Sequence, residues 1–528
     1  MPPRKRKAAA VEAPEAETAP AEPQAKRPAR GKRAAAAPAA AAPAAARRKG
    51  AAAAPGVAKE DAAKLRRIVK EFHVPLEGGY CFSFGTNPFG ALGLGEDVTE
   101  KPRAALVDIR AADGGRAEIV QVAAGGMHTA ALDRAGAVYT WGVNDEGALG
   151  RPTAGSAWEA EPESGKEDPA LPGPARLPPG ARAVQVAAGD GFTFALADDG
   201  SIWGWGCFKD DGSGAAGFPG APAGAKLQRL PARVYEAADV RDRVLKLAAG
   251  ARHMAALTRR GDVLTWGMGG QGQLGRVAPF NNESFPPLKA LLAPAPVPGV
   301  APALGSGAAD VACGAYSTFA IGARGAVAAW GLNNAGQLAL PLAAGAAGTQ
   351  QQQNGGGGGG AAAAQQQQPE GQGHFHWEPK PVPALARVAA IAGGEHHTLA
   401  LTRKGEVLSF GAPTYGMLGR SNVDAGASSS DKQGPFPIDA ADGLGEEAVF
   451  GVAAGTNVSA AVTRQGNLFL WGSNVNLQMA KGGDEDDNAL PARMRRHKAF
   501  GQRRVMAAAF GGQHGVLLAS EEEAPASA

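Results

Sequence analysis

Cysteine is nearly absent from this 528-residue chain, which has only Cys81, Cys207 and Cys313. The three are far apart and form no C-x-x-C pair. Neither a disulfide framework nor a cysteine zinc site is expected, and a reducing compartment is the default. Long apolar runs are also missing. No apolar stretch reaches the ~18 residues a membrane helix requires, and the opening PPRKRK is not followed by the apolar segment of a secretory signal. Secretion and membrane spanning are therefore not expected. Aromatic residues make up only 6% of the chain, and helical periodicity is weak beyond about residue 75. No nucleophile–base pair or metal constellation stands out, so no covalent catalysis, metal or cofactor is expected.

Glycine is abundant, with 76 residues, and the scarce aromatics tend to stand just before one. Short strands joined by tight turns have this composition, and a chain of this length is either several domains or a repeat array. Charge is divided unevenly. Residues 1–50 hold 12 Lys/Arg against 4 Glu, a net +8, so the overall +3 leaves −5 on the remainder. Contact with a polyanion is thus expected from the N-terminal segment.

Residues 1–75 are runs of Ala, Pro, Lys, Arg and Glu, read as a disordered basic tail because prolines interrupt any helix and Ala alone builds no core. A Gln/Gly tract marks a low-complexity loop insert at about 341–376, and residues 521–528 form an acidic end. Between them an aromatic-Gly pair recurs seven times, beginning at Phe84, Trp141, Trp205, Trp266, Trp330, Phe410 and Trp471. The spacings are 57, 64, 61, 64, 80 and 61 residues, and the long one contains the Gln/Gly tract. A second landmark, Gly125, Gly189, Gly250, Gly314, Gly394 and Gly455, falls 16 residues before each aromatic from Trp141 onward.

Segments between the landmarks, such as HTAALDRAGAVYTW, alternate apolar and polar residues around an R-x-G or D-D-G turn and read as hairpins. Phe84 has no glycine landmark before it, and Gly511 has no aromatic-Gly after it. These two halves make one blade. The expected fold over 76–520 is all-β: a seven-bladed β-propeller closed by pairing of its N- and C-terminal strands, which leaves no open edge.

With the motifs QVAAGGMHTAAL, WGVNDEGALGR, GGQGQLGR, CGAYSTFAI, GGEHHTLAL and FGGQHGVLL, the stretch from about Gly79 to Leu518 resembles the regulator-of-chromosome-condensation family, guanine-nucleotide exchange factors for the small GTPase Ran. The resemblance implies a nuclear, chromatin-associated protein without covalent chemistry. One propeller face would hold Ran with its nucleotide released, and the opposite side and the tail would hold chromatin. A non-catalytic propeller scaffold is the alternative. The Trp-rich face of the related plant ultraviolet-B receptor has no counterpart, since no variable loop position here is Trp.

In a repeat protein, departures from the pattern at equivalent loop positions are the better binding candidates. The third residue after the landmark is His in four blades (His128, His253, His397 and His514), and this recurrence reads as structural. The first and second positions vary. Among them the resemblance marks Asp190 and His396 as important to exchange. It also implies an Asp where this chain has Arg252, a reversal of charge that puts the efficiency of exchange in question. The turn after Trp205-Gly206 departs from the N-x-x-G-x-L-G pattern and reads CFKDDGSGAAGF. By resemblance this is a wedge entering the GTPase beside its phosphate-binding loop, with Phe208, Lys209, Asp210 and Asp211 on it. Asn334, in the turn of another blade, is placed with the GTPase-binding residues on the same ground.

In the tail, Arg4, Lys5, Arg6 and Lys7, then Lys26, Arg27, Lys32 and Arg33, form clusters that read as contacts to a nuclear import receptor or to DNA phosphates. Met1-Pro2-Pro3-Arg4 resembles a substrate of N-terminal methylation. Family members grip the nucleosome's acidic patch with arginines in the loop after GGQGQLGR. Here the loop from Val277 to Asp310 has one Lys and no Arg, so that contact is expected to be weak or absent.

Overall fold

Seven four-stranded antiparallel sheets follow one another in the computed structural model, which describes residues 77–154, 167–210, 214–221, 225–277, 286–342, 375–423, 434–484 and 486–521. All belong to the unit Ala58–Ala528. The expected tail over 1–75 and nearly all of the acidic end lie outside the described residues. The innermost strands surround a channel of about 570 Å³ lined mainly by Gly, Ala and Val. In chain order these strands are Ile119–Ala124, Ala183–Ala188, Val244–Ala249, Ala308–Cys313, Val388–Gly393, Val449–Ala454 and Val505–Phe510, and they begin blades 1 to 7.

Every blade's second strand, for example His128–Asp133 in blade 1 or His253–Thr258 in blade 3, is buried at all six positions. The expected apolar–polar alternation does not mark a wet face here, because each blade is covered on both sides by its neighbours. The polar residues instead meet between blades. His128 Nε2–H donates to Thr193 Oγ1 of blade 2 at 2.8 Å. That hydroxyl spends its proton on Ala148 O at 2.9 Å, and the same carbonyl accepts Trp205 Nε1–H at 2.8 Å. Since a hydroxyl has one proton, the imidazole must be the donor.

The relay recurs as His514–Thr129–Trp141 on Ala91 O, His253–Thr318–Trp330 on Gln273 O and His397–Ser459–Trp471 on Met417 O. A histidine is present only where the next blade supplies both a hydroxyl and a tryptophan. Burial holds these imidazoles neutral, with pKa values depressed to about 3 for His128 and His253 and about 4 for His397 and His514.

The glycine landmark has a steric cause. In six of the seven blades the side chain three residues on folds back over it, so a Cβ at Gly250 would stand 2.2 Å from His253 Cε1, and one at Gly189 would stand 2.2 Å from Phe192 Cζ; at Gly455 the space is taken by Phe510 of the next blade. Blade 7 closes the ring. Tyr80–Thr86 pairs with His514–Ala519 from Tyr80↔Ala519 to Gly85↔His514, between the outer strand Glu100–Leu106 and the inner strand Val505–Phe510.

Two details differ from the sequence reading. The outer strand of blade 4, Phe375–Pro381, starts within the expected insert, because His376 and Phe375 pair with Gly331 and Leu332. The long loop of blade 3 carries two one-turn helices, Leu288–Leu292 and Val300–Leu304, which bury Leu291, Leu292, Val300 and Leu304.

Candidate functional site

Antiparallel alternation brings two sets of turns to one face of each blade: the turn joining the first and second strands, and the turn after the aromatic-Gly pair. They are bonded to each other. The carbonyl of the second variable residue accepts the amide just beyond the aromatic-Gly, as in Met127 O from Val143 (3.0 Å), Gly191 O from Cys207 (2.8 Å), Arg252 O from Met268 (2.8 Å) and His396 O from Ala412 (2.8 Å). The first variable residues are stitched around the channel mouth by Asp190 N–H to Ala251 O, Ala251 N–H to Ala315 O and Ala315 N–H to Gly394 O, at 2.9 to 3.1 Å. Side chains at these positions therefore stand on a stiff ring.

Asp190 lies in the channel mouth with Tyr316 and Glu395. Arg252 Nε is 4.0 Å from its Oδ2. Lys209, from the blade 2 hairpin, lies over Gly191 and pairs with Glu146 of blade 1 at 2.6 Å. Burial pushes the Asp190 carboxyl up to about 6, while Arg252 and Lys209 act against the rise and Glu395 and Glu146 add to it. Burial also raises the Tyr316 hydroxyl, in the field of Arg252, Glu395 and Asp190. The mouth is thus one coupled set of three acids and two bases, half open to water and suited to a charged protein surface.

His396 stands beside Glu395, with Nε2 3.7 Å from Oε1 and the side chain 38% exposed. The structure thus brings Asp190, Lys209 and His396 onto one face around one channel. Asp210 is half-buried at the end of the hairpin, its N–H donating to Gly214 O, and Asp211 lies outside the described residues. Asn334 is exposed on the same face in the turn of blade 4, where its Oδ1 accepts from Gln337 Nε2 at 2.9 Å. Phe208 is fully buried and so faces the blade interior rather than a partner. Arg4, Lys5, Arg6, Lys7, Lys26, Arg27, Lys32 and Arg33 lie outside the described residues.

Sequence reasoning missed Glu146 because its turn, NDEGALG, obeys the repeat. The only available signal was that the equivalent residues, Gln271, Ala335, Tyr415 and Asn476, carry no charge. Glu395 and Tyr316 belong to the variable ring but gain their place in the site only when the blades meet around the channel.

The regulator of chromosome condensation of Homo sapiens is 36% identical over 453 residues, 85% of this chain and 92% of that protein. The guanine nucleotide exchange factor SRM1 of Saccharomyces cerevisiae is 28% identical over 488 residues, 86% and 90% of the two chains. The crystal structure of Prp20p from Saccharomyces cerevisiae, reported with its binding to Gsp1p and histones, superposes with a TM-score of 0.67 at 27% identity and covers 86% of this chain and 94% of that one. Residues 80–517 match the RCC1-like domain, and with them the propeller, its closing blade and the channel mouth, so the chain belongs to the RCC1-like family.

Proposed function

We propose that the channel-mouth face releases guanine nucleotide from the small GTPase Ran at chromatin, in the nucleus, by stabilising the nucleotide-free GTPase. The observation that carries this reading is the placement of one pattern-breaking hairpin, with Lys209 and Asp210 on it and Asp211 following, beside Asp190 on the ring that also bears His396. The names of the human and yeast relatives support it. Asn334 extends the docking surface toward blade 4.

Exchange of this kind makes and breaks no covalent bond. A face that binds the empty GTPase more tightly than the loaded one must weaken nucleotide binding by the same coupling free energy, because linkage is reciprocal. Acidic groups on the hairpin and mouth compete with phosphate for the cations of the GTPase's phosphate loop, and the hairpin occupies the space beside that loop. The tail clusters, Arg4 to Lys7 and Lys26 to Arg33, supply contacts to an import receptor and to DNA phosphates.

The test is release of labelled GDP from Ran by catalytic amounts of the protein, beside Asp190→Ala and His396→Ala. Fast release that both substitutions slow is the expected result. No acceleration by folded wild-type protein would leave the scaffold reading in its place.

A further inference from the structure

The joint between blades 2 and 3 keeps the tryptophan of the relay found at four other joints but lacks its histidine, its hydroxyl and its carbonyl acceptor. Phe192 stands where His128 or His253 would, Met254 replaces the hydroxyl residue, and Trp266 Nε1 has no acceptor among the described residues. The missing carbonyl would have come from the blade 2 turn, and that turn is the hairpin Phe208–Lys209 with Ala215–Gly217, whose register pairs Phe208 with Gly217. Aromatic rings fill the space instead. Phe208 packs on Phe192 at 4.4 Å between centroids, Phe218 stacks on Phe194 at 5.4 Å, and Phe194 meets Trp266 edge-on at 5.4 Å. Phe192, Phe194, Phe208, Phe218, Met254 and Trp266 form one core cluster with Leu292.

Two further features belong to the same arrangement. The third strand of blade 2 has Gly204 where blades 1 and 3 have Thr140 and Thr265. A Cβ there would come within 2.3 Å of Phe194 Cε1 and 3.0 Å of Phe218 Cζ, so the absence of a side chain is what admits the two stacked rings. From the other side Leu292 reaches Gly217, and the helix Leu288–Leu292 is held to blade 3 by Arg276, whose guanidinium donates to Ala290 O, Leu291 O and Ala293 O at 3.1 to 3.2 Å.

We infer that this aromatic socket is a positioning device for exchange: Phe218, Phe194 and Gly204, none of which faces the partner, fix the angle at which the hairpin presents Lys209 and Asp210. The inference rests on the exchange-factor reading. A flexible two-stranded hairpin would lose ordering entropy on each docking event, whereas one clamped at both Phe208 and Phe218 is ordered beforehand. The loss of the polar relay follows from the same arrangement, since the hairpin takes the place of the carbonyl on which the relay ends.

Phe218→Ala and Gly204→Ala test it, with Phe218→Leu as the conservative variant and Phe319→Ala, in the blade 4 core, as a control for general destabilisation. Amide exchange over 208–210 and 214–217 in the isolated protein should quicken in Phe218→Ala and Gly204→Ala and stay near wild type in Phe218→Leu and Phe319→Ala. With Ran, kcat should fall on the order of tenfold to a hundredfold in the first two, while KM changes little and Phe319→Ala keeps its kcat. Unchanged hairpin protection in Phe218→Ala and Gly204→Ala would overturn the socket, and so would an equal kcat loss in Phe319→Ala. Wild-type protein inactive on Ran would overturn the exchange reading instead, leaving the amide-exchange result to decide the socket alone.

Discussion

Arg252 of blade 3 faces Asp190 of blade 2 across the channel mouth, with Nε 4.0 Å from Oδ2. The guanidinium opposes the burial that lifts the Asp190 carboxyl to about 6. The charge reversal that the family resemblance marks at position 252 thus acts on Asp190 directly, and keeps it ionised to lower pH than burial alone would allow. If the carboxylate is the working form, exchange should fall as pH drops through about 6. Arg252→Ala removes a group that lowers the Asp190 pKa, so the midpoint of the pH–rate profile should move upward, toward neutral pH. Identical midpoints in wild type and variant would show that the pair does not set the profile.

The four relay histidines predict acid lability. Their folded-state pKa values, about 3 and about 4, lie below the ~6.5 of an unfolded histidine. The unfolded chain therefore binds more protons between those limits. Stability is full above about pH 6.5 and is lost as pH falls toward the folded values, by up to ~1.4 kcal/mol per pH unit for each histidine. His128→Gln should reduce the slope of the denaturant midpoint between pH 6.5 and 5 by removing one of these histidine contributions. An unaltered slope would contradict the neutral-donor assignment.

Gly250→Ala places a Cβ 2.2 Å from His253 Cε1 and within 2.7 Å of Gly314 O. A ring wedged between two blades and a backbone carbonyl in the mouth have little room to move. The expected loss is on the order of 1–3 kcal/mol, read from denaturant midpoints. Gly114→Ala, with open space around the position, is the control for substitution as such, although its φ of +80° adds some backbone strain.

Closure depends on the N-terminal strand. Phe82 is fully buried and packs on Phe500 at 4.9 Å between centroids. Phe82→Ala should cost about 3–5 kcal/mol. Because the strand locks the ring, protease nicking should begin within blade 7. Nicking that begins in blades 3 or 4 would place the weakest joint elsewhere.

The repeat was legible because each landmark answers one recurring physical need. Gly125 and its equivalents make room for the residue three positions on, or at Gly455 for Phe510 of the next blade, and the aromatic before the next glycine fills the joint between blades. The hairpin was legible as a break in that pattern. Phe208 was grouped with the partner-binding residues because the resemblance places it on the wedge, and the sequence does not reveal that Phe192, Phe194 and Phe218 converge on it. Glu146 escaped notice because its turn follows the rule. The pairing of Arg252 with Asp190 joins residues 62 positions apart that meet only when consecutive blades are set side by side.

The most direct test of the central claim is the affinity of the full-length protein for nucleotide-free Ran set against Ran loaded with GDP. The account predicts far tighter binding of the empty GTPase, with a ratio that Asp190→Ala reduces. Equal affinity for the two forms would contradict it, since a partner that does not distinguish them cannot drive nucleotide release.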